Sequence, residues 1–348
     1  MISMDVFTAD AFSAVSLTAA VDKMGYVPGF LDSIPGLYVP VPIRTTDVWI
    51  EERANGPALI KTTPRGAPPI ERGGDKRKGR SFQTTRVAEK SRIEASELQN
   101  IRSFGSEVDL KSLQVEIGRR MMLMKQDAAL TKENMLLGMV QGVVYDADGS
   151  IIDDWFDNFK QVRSAEVPFA FGALQADGYV IRQCNTIRRQ MSRGLAGVGG
   201  GAPAVHALCG DAFWDAFVTT KEVRETYRFA MQAMQLQNNV GSVWETFRYG
   251  NIIWHNYRGT DDNLTVAVAS DKAKFFPVGA GIFQKAMAPG EKFEFVNTLG
   301  QDTYSWIVRD PLRDAWADVE EMSYPLYVCT MPQALALGGL AAAPVVQQ

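Results

Sequence analysis

The chain reads as α+β with an antiparallel bias, and three observations carry that reading. Residues 107–143 hold a proline-free helical period far longer than an ordinary helix. Strand-like segments crowd the region from 243 to 329. Nowhere do single strands alternate with crossover helices, the mark of a parallel α/β sheet.

From the N-terminus, a short helix is expected about Asp10–Lys23. A run with Pro28, Gly29, Pro35, Gly36, Pro40 and Pro42 follows, too irregular for a core and readable as an extended arm. Two strands, Val48–Thr62 and Ser81–Ile93, then flank a middle broken by Pro64, Gly66, Pro68, Pro69, Gly73, Gly74 and Gly79, which predicts a long hairpin with a flexible tip. Residues 61–92 carry ten basic side chains against three acidic ones, a local +7 that leaves −11 on the rest of a chain whose total is −4. Large apolar residues there are few: Ile70, Phe82 and Val87. A lone two-stranded hairpin has no layer to bury a face against and is marginal in water. Either this arm is disordered or it lies on something else.

A short helix, Ala95–Ser103, leads into the long one. Leu110, Leu113, Ile117, Met121, Met124, Ala128, Thr131, Met135 and Met139 recur at spacings of three and four, one apolar stripe. At 1.5 Å per residue the segment from 107 to 143 spans roughly 55 Å. A compact globule of this length is only about 50 Å across. The stripe has no sustained heptad with charged flanks, so a spine through a flat subunit is preferred to a coiled coil.

Beyond the spine, Val143–Tyr145 and Ser150–Phe156 flank Asp146-Ala147-Asp148-Gly149, a hairpin turn. A helix is expected over Asp177–Arg193, a flexible loop at Gly194–Gly201, a strand at Ala204–Cys209, and a helix Ala212–Thr219 capped by Asp211. Strands follow at Val243–Arg248, Ile252–Tyr257, Leu264–Ala269, Lys292–Thr298, Ser305–Arg309, Ala315–Met322 and Leu326–Cys329.

With 46% apolar and 22% charged residues, the chain can bury a substantial core. The apolar run Leu335–Val346 is too short to span a bilayer, and Asp5 and Asp10 sit where a signal peptide needs positive charge. Cys184, Cys209 and Cys329 are odd in number, far apart and without a CxxC pair, which suits a reducing compartment.

Catalytic and ligand motifs fail in turn. Gly197-Val198-Gly199-Gly200-Gly201-Ala202 fits the dinucleotide fingerprint by letter but follows a helix and precedes a strand, the wrong order. Asp146 and Asp148 resemble a calcium loop, yet Ile151 stands where its glycine must be. His206, His255 and Cys209 have no metal-like spacing and read as buried structural residues. The expectation is therefore no catalytic, cofactor or metal site, and no enzyme. Nucleic-acid binding by the basic arm competes, but only Phe82 could stack on a base, and the sequence pI is about 5.4. Docking on an acidic neighbour is preferred.

This order of parts resembles the major capsid protein of tailed bacteriophages, the Hong Kong 97-like fold, in its lambda-type branch. The residues carrying the resemblance are Thr45-Thr46-Asp47-Val48-Trp49, Tyr249-Gly250 with Tyr257, Asp310-Pro311-Leu312-Arg313, Ser323-Tyr324-Pro325-Leu326, and Pro332. The motifs are short; collinearity across nearly the whole chain gives the likeness its force. It implies an N-arm at 1–47, an E-loop at 48–94, a P-domain at 95–160 and about 286–322, an A-domain at 161–285 and 323–340, and a flexible tail at 341–348. It further implies self-assembly through hexamers and pentamers into an icosahedral head (procapsid maturing to capsid) that encloses double-stranded DNA by non-specific contact. The E-loop would lie over an adjacent subunit, with Arg72, Lys76, Arg77, Lys78, Arg80 and Arg86 as inter-subunit contacts. Implied partners are a separate scaffolding protein, since about 47 residues precede the hairpin, a portal and a decoration protein; no membrane is involved. Assembly would take place in the host cytoplasm, and the protein would reside in the virion. A nanocompartment shell of the same fold is the alternative. No lysine–asparagine crosslinking pair can be assigned.

Overall fold

The structure, a computed structural model, describes residues 29–53, 77–96, 108–171, 177–198, 203–226, 246–257, 259, 266–313 and 315–341. Among them are strands β1 Val39–Pro42, β2 Asp47–Arg53, β3 Arg77–Gln83, β4 Val87–Glu94, β5 Val143–Tyr145, β6 Ile151–Asp154, β7 Val167–Phe169 and β8 Ala204–Cys209. The strand series continues with β9 Thr246–Tyr249, β10 Ile252–Asn256, β11 Lys272–Val278, β12 Phe283–Met287, β13 Tyr304–Arg309, β14 Trp316–Ser323, β15 Pro325–Cys329 and β16 Ala336–Leu340. The α-helices are α1 Val108–Gln141, α2 Trp155–Asn158, α3 Tyr179–Leu195 and α4 Asp211–Thr219. The expected helices Asp10–Lys23 and most of Ala95–Ser103 lie outside the described residues.

The spine α1 is continuous, and its environment changes along its length. Ile117, Met121 and Met124 form a one-sided buried stripe, whereas Met135, Leu136, Leu137, Met139 and Val140 are buried all round. The helix therefore enters the molecule as a surface element and ends inside the core. Gly142, at φ 83°, stops it in the left-handed conformation, with the Phe156 ring so close that a Cβ would lie 2.4 Å away. The β5–β6 hairpin follows as expected.

A mixed six-stranded sheet, in the order β7-β16-β11-β8-β10-β9, forms the second body of the fold. Helices α3 and α4 contribute Cys184, Ile187, Phe213 and Phe217 to the core on one of its faces, where Phe217 stacks on Trp254 at 4.3 Å. Its other face joins a larger core with the end of α1, Trp155 and residues 30–37. Two three-stranded sheets, β1-β12-β15 and β13-β14-β4, complete the spine side.

Several expectations are corrected. The Pro/Gly run is no coreless arm: Leu31 is fully buried, Phe30, Ile34 and Leu37 are nearly so, and β1 pairs in parallel with β12. Buried Glu133 of α1 fastens this segment by accepting from the Leu31 amide at 3.0 and 3.2 Å and from the Tyr257 hydroxyl at 3.0 Å. Strands β11, β12 and β16 break the expected apolar pattern, through Lys272, Lys274 and Pro277 in β11, Gln284 and Lys285 in β12, and Gly338-Gly339 in β16. At Gly338 a Cβ would press on the Phe169 and Phe275 rings at 3.0 Å, so this strand needs glycine to pack. Residues 266–269, expected as strand, are not strand. Residues 293–295, also expected as strand, form a 3₁₀ turn that Asn297 ends in the left-handed region at φ 61°. Helix α4 begins at Asp211, one residue earlier than expected, so its cap is Gly210, not Asp211; the Ala269 carbonyl is so near that a Cβ at 210 would lie 2.3 Å from it, which favours glycine there.

Candidate assembly surfaces

The expected hairpin exists at its base as the β2–β3 ribbon, with Val48 opposite Phe82 and Ile50 opposite Arg80. Alternation sends Val48, Ile50 and Phe82 inward against the main core. Phe82 meets Trp155 edge-on at 5.2 Å, and the Arg80 guanidinium lies 6.0 Å from the Phe159 ring centre. The outer face carries Trp49, 64% exposed and lying across Gly79, where a Cβ would come within 2.2 Å of the indole. Arg77 and Lys78 lie on β3, paired with Arg53 and Glu52. Arg72 and Lys76 lie outside the described residues.

The expected strand Ser81–Ile93 is divided. β3 ends at Gln83, and β4 joins β14 in another sheet with Glu89 opposite Glu321 and Arg92 opposite Asp318. Lys90 and Arg92 spend their charge within the chain: Arg92 bonds Asp318 at 2.8 and 3.0 Å, Lys90 reaches it at 3.2 Å, and Arg92 covers Trp316 at 4.0 Å. Those bonds, Arg92 foremost, hold the buried Asp318 carboxyl below the usual carboxylate range. Arg86, between the two sheets, pairs with Glu291 at 3.0 Å.

Between α1 and β14 two adjoining cavities of about 320 and 240 Å³ share the wall residues Ala128, Thr303, Glu321 and Ser323. One is ringed by Asp32, Lys132, Lys285 and Asp302, which pair among themselves. The other is acidic, with Glu89, Asp127 and Glu321 in its wall. Glu321 is 5% exposed, neither carboxylate oxygen has a hydrogen-bond partner, and burial pushes its pKa up to about 7.

The histidines meet in the core, His206 Nδ1 lying 2.9 Å from His255 Nε2. Burial lowers His206 to about 4; burial and then His206 lower His255 to about 3, so the pair is neutral at pH 7. Cys209 lies three residues along β8 from His206 and packs into the opposite core with Phe213 and Trp254. No thiol–imidazole pair forms. Among the described residues no group of three or more His, Cys, Asp or Glu is placed to hold a metal ion, and no helix is long and apolar enough to cross a membrane.

Sequence reasoning missed the exposed apolar side chains. Phe293 is 99% exposed and Leu312 92%, with Val296 and Leu299 beside the former in sequence; Met122, Leu123 and Leu130 project from the spine. Met122, Leu123 and Leu130 fall off the three-and-four-spaced stripe, so helical period marks them as outward-facing; for Phe293 and Leu312, which lie outside any long regular element, no such period exists and burial depends on tertiary neighbours.

The model of the family described as "Phage major capsid protein E" matches residues 13–338. The chain belongs to that family. As a member of the phage major capsid protein E family, it is 23% identical to the major capsid protein of Salmonella phage Felix O1 over 93% of this chain and 95% of that one. It is 24% identical to the major capsid protein of Pseudomonas phage KPP10 over 85% and 88% of the two chains. Its architecture is the Hong Kong 97-like fold of tailed-phage capsid proteins. The mature capsid of bacteriophage PhiM1 superimposes with a TM-score of 0.50 at 12% identity, covering 92% of this chain and 90% of that one.

Proposed function

We infer that this protein is the major capsid subunit of a tailed phage, assembling with copies of itself into an icosahedral head. The family match across residues 13–338 carries the reading. It is supported by the exposed Trp49, Phe293 and Leu312, whose apolar area is costly in water and useful between subunits. The β2–β3 ribbon serves as the base of the E-loop, and β4 belongs with the P-domain sheet beside β13 and β14. The ribbon tip crosses onto a neighbouring copy, and Arg72, Lys76, Arg77 and Lys78 provide the charge that docks it. Arg80 and Arg86, engaged with Phe159 and Glu291 of their own chain, set the angle at which the ribbon leaves the subunit. The head encloses double-stranded DNA, with scaffolding, portal and decoration proteins as its partners, and assembly takes place in the host cytoplasm.

Electron micrographs of the purified full-length protein test the central reading. Closed hollow particles are expected; a protein that stays monomeric under every ionic condition tried refutes it. Replacing Arg72, Lys76, Arg77 and Lys78 together with glutamate should leave a folded, soluble subunit that assembles poorly. Unchanged particle yield in that variant sinks the docking role of the ribbon. Assembly should also weaken as salt rises, since exposed pairs are screened beyond about 8–10 Å.

A further inference from the structure

Helix α3 carries four arginines, Arg182, Arg188, Arg189 and Arg193, and no acidic residue. Its buried side is fixed by Val180, Cys184, Ile187, Met191 and Leu195, which aims Arg182, Thr186, Arg189 and Arg193 along one outer stripe. At 1.5 Å per residue the stripe is about 16 Å long. None of the four guanidinium groups forms an ion pair with a described residue. Arg188, Arg189 and Arg193, together with Asn185, Ser192 and Pro277, line a cavity of about 440 Å³.

Helix stability does not account for this pattern. Arg193, in the last turn, suits the negative end of the helix dipole, but Arg182, in the first turn, opposes the positive end. Arg189 and Arg193 stand four apart, a spacing at which like charges destabilise a helix by a few tenths of a kcal/mol. The α3 N-terminus is already served by Glu222, which accepts from the Val180 and Ile181 amides at 3.1 and 3.2 Å. The cationic face is therefore a separate feature from that end.

We propose that this outer face of α3 binds the phosphodiester backbone of double-stranded nucleic acid without regard to sequence; the proposal rests on the shell reading above. Guanidinium forks match phosphate oxygens in pairs, and Asn185 and Ser192 add uncharged polar groups of the kind that commonly reach phosphates; the Thr186 hydroxyl donates to the Arg182 carbonyl at 3.0 Å. No aromatic side chain lies on the stripe, so base stacking plays no part. A protein partner fits less well. Arginine is common in protein interfaces, but there it works beside aromatic and apolar anchors; the stripe of Arg182, Thr186, Arg189 and Arg193 carries none, whereas Trp49, Phe293 and Leu312 offer such anchors elsewhere.

The test is fluorescence anisotropy of a labelled 30-base-pair duplex with dissociated full-length subunits across a sodium chloride series. The wild type is compared with the combined variant Arg182→Gln, Arg189→Gln, Arg193→Gln, and with Lys76→Gln, Arg77→Gln, Lys78→Gln, Arg80→Gln in the ribbon. Loss of three phosphate contacts should make the log–log salt slope shallower by about 2.7, so about 40-fold less affinity is lost between 50 and 200 mM salt. The ribbon variant should keep the wild-type slope. Thermal melts establish that both variants fold, and electron microscopy of particles scores shell formation independently. An unchanged slope in the α3 variant overturns the proposal, as does loss of slope in the ribbon variant alone. So does an α3 variant whose only defect is weaker subunit association in sedimentation, which would assign the face to an acidic surface of another copy.

Discussion

Replacing Glu321 with glutamine should stabilise this protein, and by an amount that depends on pH. Glu321 sits on β14 directly opposite Glu89, in the wall of a cavity that also contains Asp127. It is 5% exposed and neither oxygen is bonded. Burial comes first in raising its pKa to about 7; Lys125 opposes the shift and Glu89 adds to it. A carboxyl whose folded pKa exceeds its unfolded value of 4.5 costs stability wherever the folded form must ionise. At pH 8 that cost is about 3 kcal/mol, from 1.36 kcal/mol per pKa unit. Near pH 5.5 about half remains, and by pH 4.5 almost none. Urea denaturation of dissociated subunits at those three pH values, wild type against Glu321→Gln, reads the difference directly. The variant should lead by about 3 kcal/mol at pH 8 and converge with the wild type in acid. A gap that does not change with pH, or a variant that is less stable at pH 8, would refute the assignment of an unpartnered buried carboxylate.

Other perturbations follow from particular contacts. Glu133→Ala orphans the Leu31 amide and Tyr257 hydroxyl and should destabilise the fold by about 2–4 kcal/mol in urea melts, freeing residues 30–37 for proteolysis. His206→Phe should lessen acid sensitivity: the wild-type pair, with pKa values lowered to about 4 and about 3, contributes stability above the ordinary histidine pKa of 6.5 that is lost as pH falls through those values. Equal acid midpoints for variant and wild type would contradict that. Gly194→Ala, a change that normally strengthens a helix by up to about 1 kcal/mol, should weaken this protein, because the new Cβ would meet the Gln333 carbonyl at 2.3 Å. Trp49→Ala should leave the melting temperature of the subunit nearly unchanged while lowering particle yield in light scattering, since the indole is 64% exposed. A large loss of subunit stability would instead make Trp49 a folding residue.

Much of the architecture was legible in the sequence because it is written locally. The spine's three-and-four spacing, the Asp148-Gly149 turn, the amphipathic Tyr179–Leu195 helix and the alternating strands Tyr304–Arg309 and Trp316–Ser323 all announce themselves within a dozen residues. Strands β11, β12 and β16 did not, since lysines on β11 and glycines on β16 make sense only against particular neighbours. The basic arm was visible as a charge excess. Its division was not, because β4 leaves the ribbon to pair with β14, more than 220 residues away in sequence.

Periodicity, turn chemistry and charge excess by themselves determined the α+β class, the long spine and the basic excess of residues 61–92. Only the tertiary structure decided which of those charges are spent inside the subunit. Lys90, Arg92 and Arg86 find Asp318 and Glu291, whereas the arginines of α3 find no carboxylate among the described residues. The physical reason is range. A helical repeat or a turn is settled between residues a few positions apart. An ion pair, a buried carboxylate or an exposed tryptophan is settled by which distant strand the chain returns to.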